Sequence, residues 1–385
     1  MATPGPTEVP HDILLAGAQE VLHHRSPQME ELVGFVNEKL KTLFKTEQPV
    51  YTMLSSGTGA MEASVSNPFN AGDKVLIVKN GYWGERFADI ATSYGLNVVS
   101  IEAAWGESVP IDRVASIAAA HPDAAGIFVT YSETSTGVLN DVQSIGKLFR
   151  NTETVVIVDA ISALITHPLA MDAWGLDIVI AASHKGFMLP PGLSFIAASE
   201  KAWRRIEQSS SPKYYLSLLR YRDYYPLAPS SPAVSLIAAL KKSVELLENE
   251  GADNIIRRHA RLAKATAQAL DALGFENVIG HGSVPNHVIT VARPPEGVDA
   301  GRLLARLNAS YGVTITGGQG PFKGKVIRFG HVGSIDFIDL IGLFGSIELA
   351  LSDLGSLACL GASAASILDV HRTQASDHYD EAIPA

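Results

Sequence analysis

The chain has 385 residues, more than twice the roughly 150 of a typical domain. With 46% hydrophobic and 18% charged residues it lies outside the low-hydrophobicity, high-charge regime of disordered chains. Against 40 Asp and Glu stand 30 Lys and Arg, a formal charge of -10 that argues against nucleic acid or an anionic membrane as partners. The single cysteine, Cys359, forms no internal disulfide and no cage of paired thiolates, so no metal site is expected and the cytoplasm is the expected compartment. Neither a signal peptide nor a membrane-spanning segment is expected, because the start lacks a basic and apolar block and the late apolar stretch is broken by Asp336, Asp339 and Glu348.

Short β-branched runs at 50–54, 74–78, 97–101, 126–130, 154–158, 177–181 and 193–197 alternate with helix-length segments such as 84–94 and 142–149. Most of these runs are apolar on both faces, the pattern of a mostly parallel sheet covered by helices on each side. Residues 15–251 therefore read as a large α/β domain behind an N-terminal segment, 1–14.

A helical pattern from Pro232 to Glu250 is followed by Gly251 and a second helix over 253–273. There Leu262, Ala265, Thr266, Ala269, Leu270 and Leu273 form one apolar stripe, and Gly274 supplies a left-handed stop. Beyond it the order is strand 287–291, helix 300–309, strands 312–315 and 325–329, and helix 335–351, so 252–360 reads as a smaller C-terminal α+β domain. The tail, 361–385, reads as a helix fragment with a frayed end and is assigned no function.

Chemistry concentrates at the carboxyl ends of the buried strands. Lys185, in Ser183-His184-Lys185-Gly186-Phe187, follows the run 177–181, where open α/β sheets place ligands. The run 154–158 ends in Asp159, 26 residues earlier. An amine and a carboxylate at the ends of two nearby strands suit pyridoxal 5′-phosphate, which needs a Schiff-base lysine and an anion at its pyridine nitrogen. Ser56-Gly57-Thr58-Gly59 offers a strand, a glycine turn and a helix start for the phosphate, although it matches neither the dinucleotide fingerprint nor the P-loop. Trp83, in Asn80-Gly81-Tyr82-Trp83-Gly84, supplies an indole for stacking.

In these motifs the sequence resembles the class V aminotransferases of pyridoxal-phosphate fold type I, nearest in pattern to the alanine:glyoxylate and serine:pyruvate enzymes. The resemblance also rests on Pro4-Gly5-Pro6-Thr7, His24-Arg25-Ser26-Pro27, Glu133-Thr134-Ser135-Thr136-Gly137, Pro190-Pro191-Gly192 and the run 324–330, which occur in family order. It implies a large domain with a mostly parallel sheet and a smaller C-terminal domain. It further implies Lys185 as the Schiff-base lysine, Asp159 on the pyridine nitrogen, Trp83 and Ile161 on the two ring faces, and Thr134 near the ring hydroxyl. Gly57, Thr58, Gly59 and His184 are expected around the phosphate, joined by Ser230 of the second subunit of a homodimer. Arg328 is expected to clamp the substrate α-carboxylate, with Gly5 on the substrate side.

Two departures from the family pattern stand out. Tyr131 replaces a histidine, an expected change on the substrate side, and Leu227 replaces a tyrosine of the neighbouring subunit, leaving Tyr224 or Tyr225 as stand-ins. The implied activity is transfer of an amino group from alanine, serine or glycine to glyoxylate or pyruvate. A lyase of the same fold is the alternative; a cysteine desulfurase is not expected, because Cys359 follows the last motif. Arg25 and Arg222 remain candidates for a second substrate cation.

Overall fold

The computed structural model describes residues 1–356 and 359–379, with side chains to 373. Seven strands form the main sheet: β1 (Val50–Leu54), β2 (Lys74–Lys79), β3 (Asn97–Glu102), β4 (Gly126–Thr130), β5 (Val155–Asp159), β6 (Ile178–Ala182) and β7 (Leu193–Ala198). Their spatial order is β1-β7-β6-β5-β4-β2-β3. Only β7 runs against its neighbours, pairing antiparallel with β1 and β6, while the other pairs are parallel.

The double-sided burial has a simple origin in the pleat, which sends successive side chains to opposite faces. Leu76, Val78, Ile127, Val129, Val156, Val158, Val179 and Ala181 enter one core. Val75, Ile77, Phe128, Val155, Ile157, Ile178 and Ile180, their alternates, enter a second core on the other face. Both faces are thus apolar because both are covered by helices, as the sequence pattern predicts.

The small sheet takes the order Glu276–Asn277, Ile289–Arg293, Ile327–Gly330, Thr316–Gly317, all antiparallel. The predicted strand at 312–315 lies elsewhere, at Thr316–Gly317. Gly312 adopts φ 64 at the end of helix Ala300–Tyr311, and Val313 N–H donates to Leu307 O, so these residues cap the helix instead. Helix Ala362–Tyr379, read from sequence as a helix fragment, packs on helices Ala252–Ala272 and Phe337–Asp353. Its Ile367 and Val370 are buried with Leu262, Leu270 and Phe344.

The N-terminal residues strap the two units together. Ala2 N–H donates to Thr314 O and Gly330 N–H to Ala2 O on the small unit, while Thr7 N–H donates to His184 O beside Lys185. Among the described residues no helix is long and apolar enough to cross a membrane.

Candidate active site

The carboxyl ends of β1, β4, β5 and β6 converge on a cavity of about 210 Å³. Its walls include Gly57, Thr58, Trp83, Ser132, Asp159, Ile161, His184 and Lys185. β5 ends in Asp159 and β6 delivers Lys185 three residues beyond its end, so two parallel neighbours aim the carboxylate and the amine into one space.

Asp159 is buried, and Ile161 N–H donates to its Oδ1 at 2.8 Å. Burial pushes its pKa up to about 6, against the opposing pull of that hydrogen bond and of Lys185 and Arg86. Lys185 is pushed the other way, down to about 8, by burial and by the Arg328 charge, with Asp159 opposing. Its Nζ donates to Pro4 O at 2.8 Å. Gly5, at φ +139, lies directly against it, and a Cβ there would sit 2.5 Å from Lys185 Nζ. The N-terminal strap therefore covers the lysine and needs glycine to do so.

Helix α1 (Gly57–Ser66) starts at the cavity wall. Ser56, its N-cap, makes no side-chain capping bond. A Cβ on Gly57 would fall 2.7 Å from Ile161 Cδ1, so glycine is what lets Ile161 sit over the turn. Gly59 is not in the wall; its N–H is taken by Ser56 O. His184 is pushed down to about 4 by burial and by Lys185, so it is neutral.

Helix α2 (Tyr82–Ser93) carries Trp83. It begins two residues before the predicted start because Glu133, wholly buried, accepts from Trp83 N at 3.1 Å and Gly84 N at 3.3 Å. Ser135 completes the arrangement, donating from both N and Oγ to Glu133. Burial nevertheless pushes Glu133 up to about 7. Thr134 stands behind the indole, its Oγ1 accepting from Trp83 Nε1 at 2.8 Å.

Arg328 sits on the small sheet beside this wall. Its Nε donates to Gly317 O and its Nη1 to Gln319 Oε1 and Thr134 O. Nη2 has no acceptor among the described residues, which leaves its two N–H donors free for a carboxylate. Burial pushes Arg328 down to about 10, so it stays charged at neutral pH.

Other sequence expectations fall elsewhere. Ser230 lines a separate cavity with His24, Arg25, Tyr224 and Leu227. Arg222 is bound to Glu207 at 2.6 Å and stacked on Trp203, so it offers no free charge to a substrate. Tyr131, expected on the substrate side, turns into the core beneath the sheet, where its hydroxyl donates to Pro168 O at 2.9 Å. Strand alternation explains this: Tyr131 follows β4, and its neighbour Ser132 takes the cavity side.

Sequence reasoning missed Arg86, Ser132 and Gln319. Arg86 had a signal, since it lies three residues after Trp83 on one helix and so shares its face. Its guanidinium stacks on Trp83 at 4.6 Å, donating to Thr58 Oγ1 and Tyr82 OH. No such signal exists for Ser132 or Gln319, whose roles depend on distant elements.

The arrangement fits pyridoxal 5′-phosphate. Ser132 Oγ and His184 Nδ1 are buried without a hydrogen-bond partner at the cavity, a deficit that a polar ligand would remove. A glycine turn at a helix start, an aromatic wall and an amine facing a carboxylate supply the rest of what that ligand requires.

Comparison with known proteins agrees. Residues 6–323 match the aminotransferase class-V family model. The chain is 35% identical to a protein of Synechococcus sp. named soluble hydrogenase, small subunit, over 91% of this chain and 92% of that one. It is 33% identical to the L-aspartate–glyoxylate aminotransferase of Paracoccus denitrificans, over 96% and 95% of the two chains. The crystal structure of ureidoglycine–glyoxylate aminotransferase from Bacillus subtilis superposes with a TM-score of 0.93 at 25% identity, covering 96% and 97%.

Proposed function

The chain belongs to the class V aminotransferases, with the pyridoxal-phosphate fold type I, and from that premise we propose that it moves an amino group from alanine, serine or glycine to glyoxylate or pyruvate. Family membership makes it a pyridoxal-phosphate-dependent transaminase. The observation that carries the substrate reading is the open Nη2 of Arg328, available to one carboxylate, while Arg222 is tied to Glu207 and Arg86 lies at the Thr58 end of the cavity. Glyoxylate is the acceptor in the names of two relatives whose donors differ, which favours it as acceptor.

When bound, the cofactor supplies a ring that withdraws electrons from the substrate Cα. Gly57, Thr58, His184 and Ser132 would hold its polar groups, Trp83 and Ile161 its faces, and Asp159 its nitrogen, with Thr134 fixing the indole. Gly59 contributes the tightness of the turn. At pH 7 a lysine near pKa 8 is neutral about a tenth of the time, far more than an exposed lysine. Lys185 therefore takes and returns the Cα proton, and Asp159 keeps a negative charge for the ring nitrogen it would hold. Arg328 orients the α-carboxylate by a charge-assisted pair.

We further infer a homodimer in which Ser230, in its cavity with Arg25 and Tyr224, serves the neighbour's phosphate. The cytoplasm suits a chain with one cysteine. The relative named as a hydrogenase subunit does not redirect this reading: among the described residues no group of three His, Cys, Asp or Glu is arranged to hold a metal ion, and one cysteine is too few for an iron–sulfur cluster.

The test is a panel of donors and acceptors. Alanine, serine or glycine with glyoxylate should exceed aspartate or glutamate with 2-oxoglutarate in kcat/KM, because a second carboxylate is desolvated without a partner. Arg328→Ala should raise KM for amino and oxo acids alike by about ten- to a hundredfold, the worth of a charge-assisted pair. Aspartate or glutamate as the best donor would overturn the substrate assignment and leave the transaminase intact.

A further inference from the structure

The phosphate end of the proposed cofactor site lacks a cation among the residues that sequence motifs assign to it. Gly57 and Thr58 offer N–H groups and a hydroxyl, the Gly59 N–H being taken by Ser56 O, and His184 is neutral. A phosphate monoester brings close to two negative charges, which half a helix-dipole charge does not balance. The ionisable side chains of the cavity wall that carry charge are Asp159, Lys185 and Arg86. Lys185 faces Asp159 and Pro4, and its charge is consumed when it binds a carbonyl.

Arg86 sits where the missing charge is needed. Its Nη1 donates to Thr58 Oγ1 at 3.1 Å, in the first turn of α1. Its Nη2 donates to Tyr82 OH at 3.0 Å, and the guanidinium lies 4.6 Å from the Trp83 ring and 5.0 Å from the Tyr82 ring. Two of five N–H donors are engaged, leaving three without an acceptor among the described residues. Two aromatic rings and a hydroxyl hold the fork rigid, so little side-chain entropy is lost when an anion arrives. The unpartnered Ser132 Oγ and His184 Nδ1 in the same wall independently point to a polar ligand.

We propose that Arg86 is a cofactor-binding residue, the cation that neutralises the phosphate of the bound pyridoxal 5′-phosphate; this rests on reading the cavity as the cofactor site. The same residue stacks on Trp83, so one side chain both secures the indole and charges the cradle. Arg86 is thereby removed from the substrate end, where Arg328 acts alone.

The experiment compares two ligands that differ only in the phosphate. Apoenzyme of the full chain and its Arg86→Gln and Arg86→Lys variants are titrated with pyridoxal 5′-phosphate and with pyridoxal, followed by absorbance and by quenching of tryptophan emission. Arg86→Gln should weaken pyridoxal 5′-phosphate by about ten- to a hundredfold and leave pyridoxal within about threefold, and Arg86→Lys should recover most of the loss. Equal weakening of both ligands would mean that Arg86 only props Trp83, and no weakening of either would mean that it does neither; each overturns the proposal. If Arg86→Gln yields no folded protein, Arg86→Met takes its place in the same titrations: equal loss for both ligands, or loss for neither, again overturns the proposal, and a loss confined to the phosphorylated ligand supports it. Wild-type apoenzyme that binds neither ligand would overturn the cofactor site itself, and with it this inference.

Discussion

The Lys185 cavity and a histidine cluster between the two units are both built of buried titratable groups, yet their hydrogen bonds end in opposite ways. His167 and His287 stack at 4.4 Å, and His287 N–H donates to His167 Nε2. Gly333 N–H donates to His259 Nε2, while His259 Nδ1 donates to Ile255 O. His331 donates from Nδ1 to His287 O and accepts at Nε2 from Thr290. Backbone N–H groups cannot reverse roles, so His167 and His259, which accept from them, are fixed neutral by their partners as well as by burial. His167, His259 and His331 each have both ring nitrogens partnered within the chain. In the cavity, by contrast, Ser132 and His184 keep unpartnered atoms and Arg86 and Arg328 keep free donors. The histidine partners hold the fold together; unpartnered atoms and free donors gathered round one cavity expect a polar ligand.

The largest expected effect falls on the incomplete region. Lys185→Ala removes the proton carrier and should reduce transamination by about a thousandfold or more, within the range for a lost general base. Cofactor should still bind, because the cradle and Asp159 remain. Activity within tenfold of wild type, with cofactor present, would show that the lysine is not the carrier.

Next comes Asp159→Asn, which keeps shape and removes charge. Turnover should fall by about a hundredfold, with a larger isotope effect from deuterium at the substrate Cα, because proton removal becomes slower. Normal turnover with an unchanged isotope effect would reduce Asp159 to a strand terminus.

The complete region responds through stability. His259 and His331 are pushed down to about 3 and His167 lies well below its ordinary value, all by burial first. The unfolded chain takes up protons near pH 6.5 and the folded one does not, so stability falls as pH drops from about 6.5 toward 3. Each such ring contributes up to about 1.4 kcal/mol per pH unit. Asp159 and Glu133, raised by burial to about 6 and 7, act oppositely, since the folded state there holds protons more tightly and gains as pH falls through those values. His259→Gln should therefore flatten the acid limb of a urea-midpoint profile by about one ring's share, while leaving transamination at pH 8 within a few-fold of wild type. An unaltered slope would show that His259 titrates alike in both states.

The same contrast explains what was legible in the sequence. All seven main strands are predicted to within a residue or two, because burial on both faces leaves a local apolar signature. Lys185, Asp159 and Trp83 are legible because each follows such a strand directly. Arg86 is legible only through helix spacing, and the start of α2 is not legible, since the carboxylate that caps it lies fifty residues away in Glu133. The misplaced strand at 312–315 has a similar cause: Gly312 and Val313 are drawn into a helix cap before the strand begins. The place of Tyr131 in its motif suggests the substrate side, whereas the pleat decides its side.

The claim on which the rest depends is that the cavity's lysine, and no other, carries the cofactor. Borohydride reduction of the full chain saturated with pyridoxal 5′-phosphate, followed by peptide mass mapping, tests it directly. The label should appear on the peptide containing Lys185 and vanish in Lys185→Ala; a label on another lysine, or none at all, would contradict the account.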